Sequence, residues 1–213
     1  MKNNITELVF ILDRSGSMHG MEKDTIGGFN SMIQKQKKLD GQAYLSTVLF
    51  NDNNKIIHDR IDIKEVSPLT EKDYQVSGCT ALLDAIGTTI NHIEKIHKYI
   101  RKEDVPENTI IAITTDGYEN ASKQFTSQKV KELIEKKKKD GWQFIFMAAN
   151  IDAVETAASF GIDKDHSANY YQDCEGTDLS YGSFNNFVSN LRCGFKFTTD
   201  WKKDVEEHYN KNK

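Results

Sequence analysis

The chain has 213 residues, 38% hydrophobic and 28% charged, and 28 Lys+Arg against 32 Asp+Glu leave a net charge of -4. This is the composition of one large globular domain, and a domain of this length buries roughly 70% of its unfolded surface without help from disulfides or a structural metal. The charge balance excludes a global attraction to nucleic acid or an anionic membrane, and no apolar run approaches the roughly 20 residues that span a bilayer.

Apolar runs alternate with amphipathic segments almost to the end, the pattern of a doubly wound α/β domain. The first run, Leu8-Val9-Phe10-Ile11-Leu12, reads as a buried strand of a parallel sheet. It leads into Asp13-Arg14-Ser15-Gly16-Ser17. Ile26, Phe29, Met32 and Ile33 then give a helix its core-facing stripe. Gly27-Gly28 within that helix lower its propensity but permit close packing against the sheet. Residues 44–50 and 55–61 read as a β-hairpin. They are joined by Asn51-Asp52-Asn53-Asn54, residue types that tolerate left-handed backbone. The second strand of the hairpin alternates and carries charge, which suits an antiparallel edge.

A long helix is predicted over about 81–100, with Leu82, Ile86, Ile90, Ile93 and Ile100 on one face. The β-branched run of residues 109–115 is a central strand. A helix over about 127–139 buries Val130, Leu133 and Ile134, and Gly141 is placed to close it. A strand over 142–149, a short helix over 154–160, a weak strand near 167–170 and a helix over about 179–191 follow. These elements make residues 1–195 a single domain, and residues 196–213 are expected as a polar tail or short fraying helix with Trp201 as its main apolar exception.

In an open α/β sheet, ligands bind beyond the carboxyl ends of the strands. Three segments reach that edge. Asp13, Ser15 and Ser17 put a carboxylate and two hydroxyls into a Gly-containing turn, which suits a hard divalent cation but is also ordinary strand-to-helix turn chemistry. Thr80, in Ser77-Gly78-Cys79-Thr80-Ala81-Leu82, is a further hydroxyl or a plain helix N-cap. Asp116, in Thr114-Thr115-Asp116-Gly117, is a second carboxylate or a plain Asp-Gly turn.

Together, Asp-x-Ser-x-Ser after the first strand, Thr before the second long helix and Asp after the next parallel strand resemble the von Willebrand factor A family and its metal-ion-dependent adhesion site. The resemblance extends over roughly residues 5–193. It implies a Rossmann-like fold, with a doubly wound, mostly parallel sheet, one antiparallel edge strand and helices on both faces. It implies that Ser15, Ser17 and Thr80 offer hydroxyl ligands to Mg²⁺ or Mn²⁺, with Asp13 and Asp116 supplying charge directly or through bound water. It further implies a non-enzymatic interaction module whose metal keeps one position open for an acidic residue of a partner protein.

The alternative is a Mg²⁺-dependent hydrolase or phosphatase of a Rossmann-like fold. Against it, Ser15 stands where a haloacid-dehalogenase-like phosphatase would carry its second Asp, and a serine is a poor general acid or base. Neither a phosphate-binding loop, a dinucleotide fingerprint nor a Gly-x-Ser-x-Gly elbow occurs. Glu119, Asn120, Asn150 and Asp152 are expected as exposed loop polarity at the rim, with partner selection as a lesser role. His19 is expected as a bystander, and Lys136-Lys137-Lys138-Lys139 as a solvated helix end. No apolar segment follows a basic start, and Cys79, Cys174 and Cys193 include no Cys-x-x-Cys pair. The location expected from these missing signals is cytoplasmic, the partner a protein, with neither nucleic acid nor membrane.

Overall fold

Strand β1 (Ile5–Asp13) is buried at every position, as its unbroken apolar run requires. Leu8, Phe10 and Leu12 face one layer of the core, and Val9 and Ile11 face the other. In the computed structural model, which describes residues 4–195 and 198–213, β2 (Gln42–Phe50) pairs with β1 in parallel. Strand β3 (Asn54–Asp62) turns back antiparallel to β2. On the other side of β1 lie β4 (Asn108–Thr115), β5 (Gln143–Ala148) and β6 (Ser167–Asn169), each parallel to the last. The order β3-β2-β1-β4-β5-β6 is the doubly wound, mostly parallel sheet with one antiparallel edge strand.

Helices cover both faces, which is why the central strands carry no polar alternation. On one face, α1 (Glu22–Gln36) and α5 (Cys174–Arg192) bring Phe29, Met32, Phe184, Phe187 and Val188 onto Leu8, Phe10 and Leu12. On the other, α2 (Leu82–Tyr99), α3 (Ser127–Lys139) and α4 (Ala153–Ser159) bring Ile86, Ile90, Val130, Ile134 and Ala157 onto Val9, Ile11, Ile111 and Ile113. No helix among the described residues is long and apolar enough to cross a membrane.

Three local features are sharpened by the structure. None of the Asn51–Asn54 residues takes a left-handed backbone. The turn closes instead by Asn51 Oδ1 accepting from the Asn53 amide at 3.1 Å. Helix α5 begins at Cys174, about a turn ahead of its apolar stripe, because Asp173 caps it by accepting from the Gly176 amide at 2.6 Å. Of the expected polar tail, residues 196–197 lie outside the described residues. Beyond them Thr199–Lys202 form a 3-10 turn and Lys203–Asn212 form helix α6. Trp201 and Val205 are buried in the α1–α5 layer, and Trp201 Nε1 donates to the Asp165 carbonyl at 2.9 Å.

Gly28 sets the approach of α1 to α5 rather than to the sheet, since a Cβ there would lie 2.3 Å from Tyr181 Cδ2. Gly27 faces open space. Gly28→Ala is therefore expected to destabilise the protein by about 1–3 kcal/mol through overpacking. Gly27→Ala is expected to stabilise it by about 0.5–1 kcal/mol through helix propensity. Urea midpoints that move in opposite directions check both.

Candidate metal centre

The parallel register that pairs Leu12 with Thr114 brings the ends of β1 and β4 together, and the candidate residues gather there. Asp13 closes β1 and is 1% exposed. Its Oδ1 accepts from the Ser15 amide at 2.7 Å and its Oδ2 from Thr115 Oγ1 at 2.5 Å. The buried Tyr74 hydroxyl donates to the Asp13 carbonyl. Ser15 Oγ lies 3.1 Å from Ser17 Oγ, which donates to Asp116 Oδ1 at 2.5 Å. A Cβ on Gly117 would sit 3.4 Å from Ser17 Oγ and 3.8 Å from Thr80 Oγ1, so both hydroxyls flank the same small space. The structure thus brings all five residues together. Asp13, Ser15, Thr80 and Asp116 are buried, while Ser17 is exposed and marks the open side.

Backbone hydrogen bonds hold the contributing loops in register. The Gly16 amide donates to the Gly78 carbonyl at 3.0 Å, and the Ser77 amide to the Arg14 carbonyl at 2.9 Å. Gly78 has φ +77, and a Cβ there would lie 1.9 Å from Asp52 Oδ2, which itself accepts from the Cys79 amide at 3.0 Å. Only glycine suits that position.

Thr80 does not cap α2, whose N-cap position is Ala81. The orphan amides of the first turn are satisfied from another loop: Leu83 N donates to Glu119 Oε2 at 2.9 Å and Asp84 N to Ser122 Oγ at 3.0 Å. Asp84 in turn accepts from the amides of Lys123, Gln124 and Phe125. Asn120 completes the strap, since its Oδ1 accepts from the Thr80 amide at 2.9 Å and its own amide donates to the Thr80 carbonyl at 3.0 Å. Glu119 and Asn120 are therefore structural braces. With the helix end served by Glu119 and Ser122, the Thr80 hydroxyl is left to the site.

The site is electrostatically costly. Burial pushes the Asp13 carboxyl up to about 6, against the Thr115 and Ser15 hydrogen bonds that hold it down, with a further upward push from Asp116. Burial also raises Asp116, against hydrogen bonds from Ser17 and Gln172. Arg14, the basic residue within the turn, points instead to the Gln75 carbonyl and Asn51 Oδ1. Among the described residues no group of three or more His, Cys, Asp or Glu is placed to hold a metal ion. The donor set here is two carboxylates and three hydroxyls.

Other residues singled out in the sequence lie apart from it. His19 is exposed and pairs with Glu22 at 3.2 Å. Asp152 caps α4 by accepting from the Glu155 amide at 2.9 Å. In the lysine run, Lys136 and Lys137 pair with Glu94 and Lys138 with Asp163, so this face is partly neutralised. Asn150, by contrast, does reach the site, with its side-chain amide 3.5 Å from the Asp116 carbonyl.

Two residues escape the sequence reading. Thr115 had a usable signal, a hydroxyl at the last position of the central strand, directly before Asp116. Gln172 had none: it lies in the loop before α5, 56 positions from Asp116, yet its Nε2 donates to Asp116 Oδ2 at 2.8 Å.

No protein-family model matches the sequence, and no curated protein matches it. Solved structures share the fold. Proximal thread matrix protein 1 from the mussel byssus aligns with a TM-score of 0.58 at 12% identity over 89% of this chain, and the chain spans 46% of that protein, about half its length. The vWF domain of the type V pili tip protein Mfa5 from Porphyromonas gingivalis gives 0.62 at 10% identity, covering 91% of this chain and 97% of that one. Manganese-loaded TRAP protein of Plasmodium vivax gives 0.58 at 18% identity, covering 84% and 72%. At these identities the superpositions show a shared fold, the Rossmann-like von Willebrand factor A fold.

The cytoplasmic expectation is overturned by the same comparison. The byssal matrix protein and the pilus-tip protein belong to extracellular structures. Missing leader and disulfide signals do not report compartment, because a domain of this size holds together without disulfides in either setting.

Glu119→Ala removes the acceptor for the Leu83, Ala121 and Ser122 amides. The expected loss is about 1–3 kcal/mol, the cost of leaving such donors unpaired, and urea denaturation with far-UV circular dichroism measures it.

Proposed function

We propose that Asp13, Ser15, Ser17, Thr80 and Asp116 hold a divalent cation, Mg²⁺ or Mn²⁺, and that the protein uses it to dock an acidic side chain of a partner protein. The observation that carries this reading is the convergence of five oxygen-bearing side chains from three distant segments on one small space at the ends of β1 and β4. The donor set fits: the 3.1 Å separation of Ser15 Oγ and Ser17 Oγ is close to the edge of about 2.9 Å between neighbouring oxygens of an octahedral Mg²⁺ shell. Two carboxylates match the charge of a divalent ion, which relieves the burial that raises Asp13 and Asp116. All donors are hard oxygens, suited to Mg²⁺ and Mn²⁺. The fold shared with manganese-loaded TRAP protein supports the choice of ion.

When bound, the cation supplies an electrophilic position for an outside oxygen ligand. The chain's own residues shape that position. Thr115 and the Ser15 amide occupy one lone pair on each Asp13 oxygen and fix that carboxylate in place. Ser17, exposed at the rim, leaves the approach open from solvent. What argues against hydrolysis is the lack of a general acid or base beside Asp13: the side chain two positions on is Ser15, a poor proton donor or acceptor at neutral pH. His19, the nearest histidine in sequence, pairs with Glu22 instead. The fold shared with byssal and pilus-tip proteins supports an interaction module over an enzyme.

Titration calorimetry of the purified chain with MgCl₂ and MnCl₂ tests the proposal. One cation should bind per chain, and Asp13→Ala and Asp116→Ala should each lose more than about 100-fold in affinity, beyond what outer-shell changes cost. At a free cation concentration 100 times Kd the protein should gain about 2.7 kcal/mol of stability. Acidic peptides selected from a display library should be released by chelator. Absence of binding heat with both ions, or unchanged binding by Asp116→Ala, overturns the reading.

A further inference from the structure

Asp116 is held from outside the five-residue set by a chain of side-chain amides. Gln172 Nε2 donates to Asp116 Oδ2 at 2.8 Å and to the Ser17 carbonyl at 3.3 Å. Gln172 Oε1 accepts from Asn150 Nδ2 at 2.5 Å, and the same Asn150 nitrogen lies 3.5 Å from the Asp116 carbonyl. The orientation of each amide is forced. A carboxylate and a carbonyl are acceptors only, so the NH₂ end of Gln172 must face them and its oxygen must face Asn150. Asn150 has φ +57, a left-handed conformation that asparagine tolerates and that follows directly on β5. Three loops, after β1, β4 and β5, are thus tied to the segment ahead of α5 through one amide pair.

We infer that Gln172, held by Asn150, is a positioning residue for the cation site: its N–H fixes Asp116 Oδ2 away from the ligand space and leaves Oδ1 facing Ser17 and the cation. The inference rests on the cation reading above. Asp116 Oδ1 is the oxygen that meets Ser17 Oγ, so the two carboxylate oxygens divide cleanly between the site and the amide pair. Partners that orient metal-ligating carboxylates typically change affinity 10–100-fold when removed. Gln172 is half-buried at the surface and outside the sheet core, so its replacement leaves the fold's apolar layers untouched.

The test is a double-mutant cycle read by calorimetric Mn²⁺ affinity. Gln172→Met keeps the side-chain length and removes the amide; Asn150→Gly keeps the left-handed backbone and removes its amide. Each single variant should bind Mn²⁺ about tenfold more weakly than wild type. The double variant should also lose about tenfold, because the second change removes a link already broken. Purely structural contributions from two separate loops would multiply instead. Either single variant within twofold of wild type, or losses that multiply in the double variant, overturns the inference. Wild-type protein that takes up no Mn²⁺ overturns the cation reading itself, which separates the two failures. Urea midpoints of the metal-free variants close to wild type exclude misfolding as the source of the loss.

Discussion

Two buried carboxylates at the ends of neighbouring parallel strands govern this structure. Asp13 and Asp116 are 1% and 2% exposed, and no ion pair with a basic side chain balances either among the described residues. Burying charge without compensation is expensive, and the surrounding chain is organised to limit that cost. Thr115, Ser15, Ser17 and Gln172 all aim donors at these two groups. Arg14 is the nearest basic residue in the sequence, yet its guanidinium reaches the Gln75 carbonyl and Asn51 Oδ1 instead.

The second organising feature is the capping of α2 by a distant loop. Glu119 and Ser122 serve the first amides of the helix, and Asp84 returns the favour to residues 123–125. The effect is mechanical as well as energetic, because the loop that carries Asp116 is locked to the helix that follows Thr80. It also leaves the Thr80 hydroxyl out of the capping of α2, whose N-cap position is Ala81. A local N-cap would hold the Thr80 hydroxyl on its own helix; here the helix is satisfied elsewhere.

Structures with 10–18% identity to this chain share its fold, although they come from sources as different as a mussel byssus, a bacterial pilus tip and Plasmodium vivax. That is expected where a fold needs only apolar strands of the right length and a few polar residues at their ends. Function then resides in the loops at one edge of the sheet. In this chain that edge is assembled from the turns after β1, β4 and β5, the segment before α2 and the loop before α5.

How much of this was legible in the sequence follows from range. Period and composition are local, and they sufficed for six strands, the antiparallel edge and the helical layers; Asp13, Ser15, Ser17, Thr80 and Asp116 stood out because each ends or precedes a strongly patterned element. The start of α5 was missed because its first turn, Cys174-Glu175-Gly176-Thr177, carries no apolar periodicity and is set by the Asp173 cap. Trp201 stands out in the sequence as the apolar exception in a polar tail, but where it and Val205 are buried depends on Phe187 and the rest of a layer formed far upstream. Gln172, Asn150 and Glu119 acquire their roles only when loops distant in sequence meet, since a hydrogen bond between side chains tens of residues apart leaves no periodic trace. The Asp13-Arg14-Ser15-Gly16-Ser17 turn was thus determined as a cluster of oxygens by the sequence itself. Which donors brace it, and which oxygen of Asp116 faces it, were decided by tertiary structure, because only the folded sheet brings those groups within hydrogen-bonding distance.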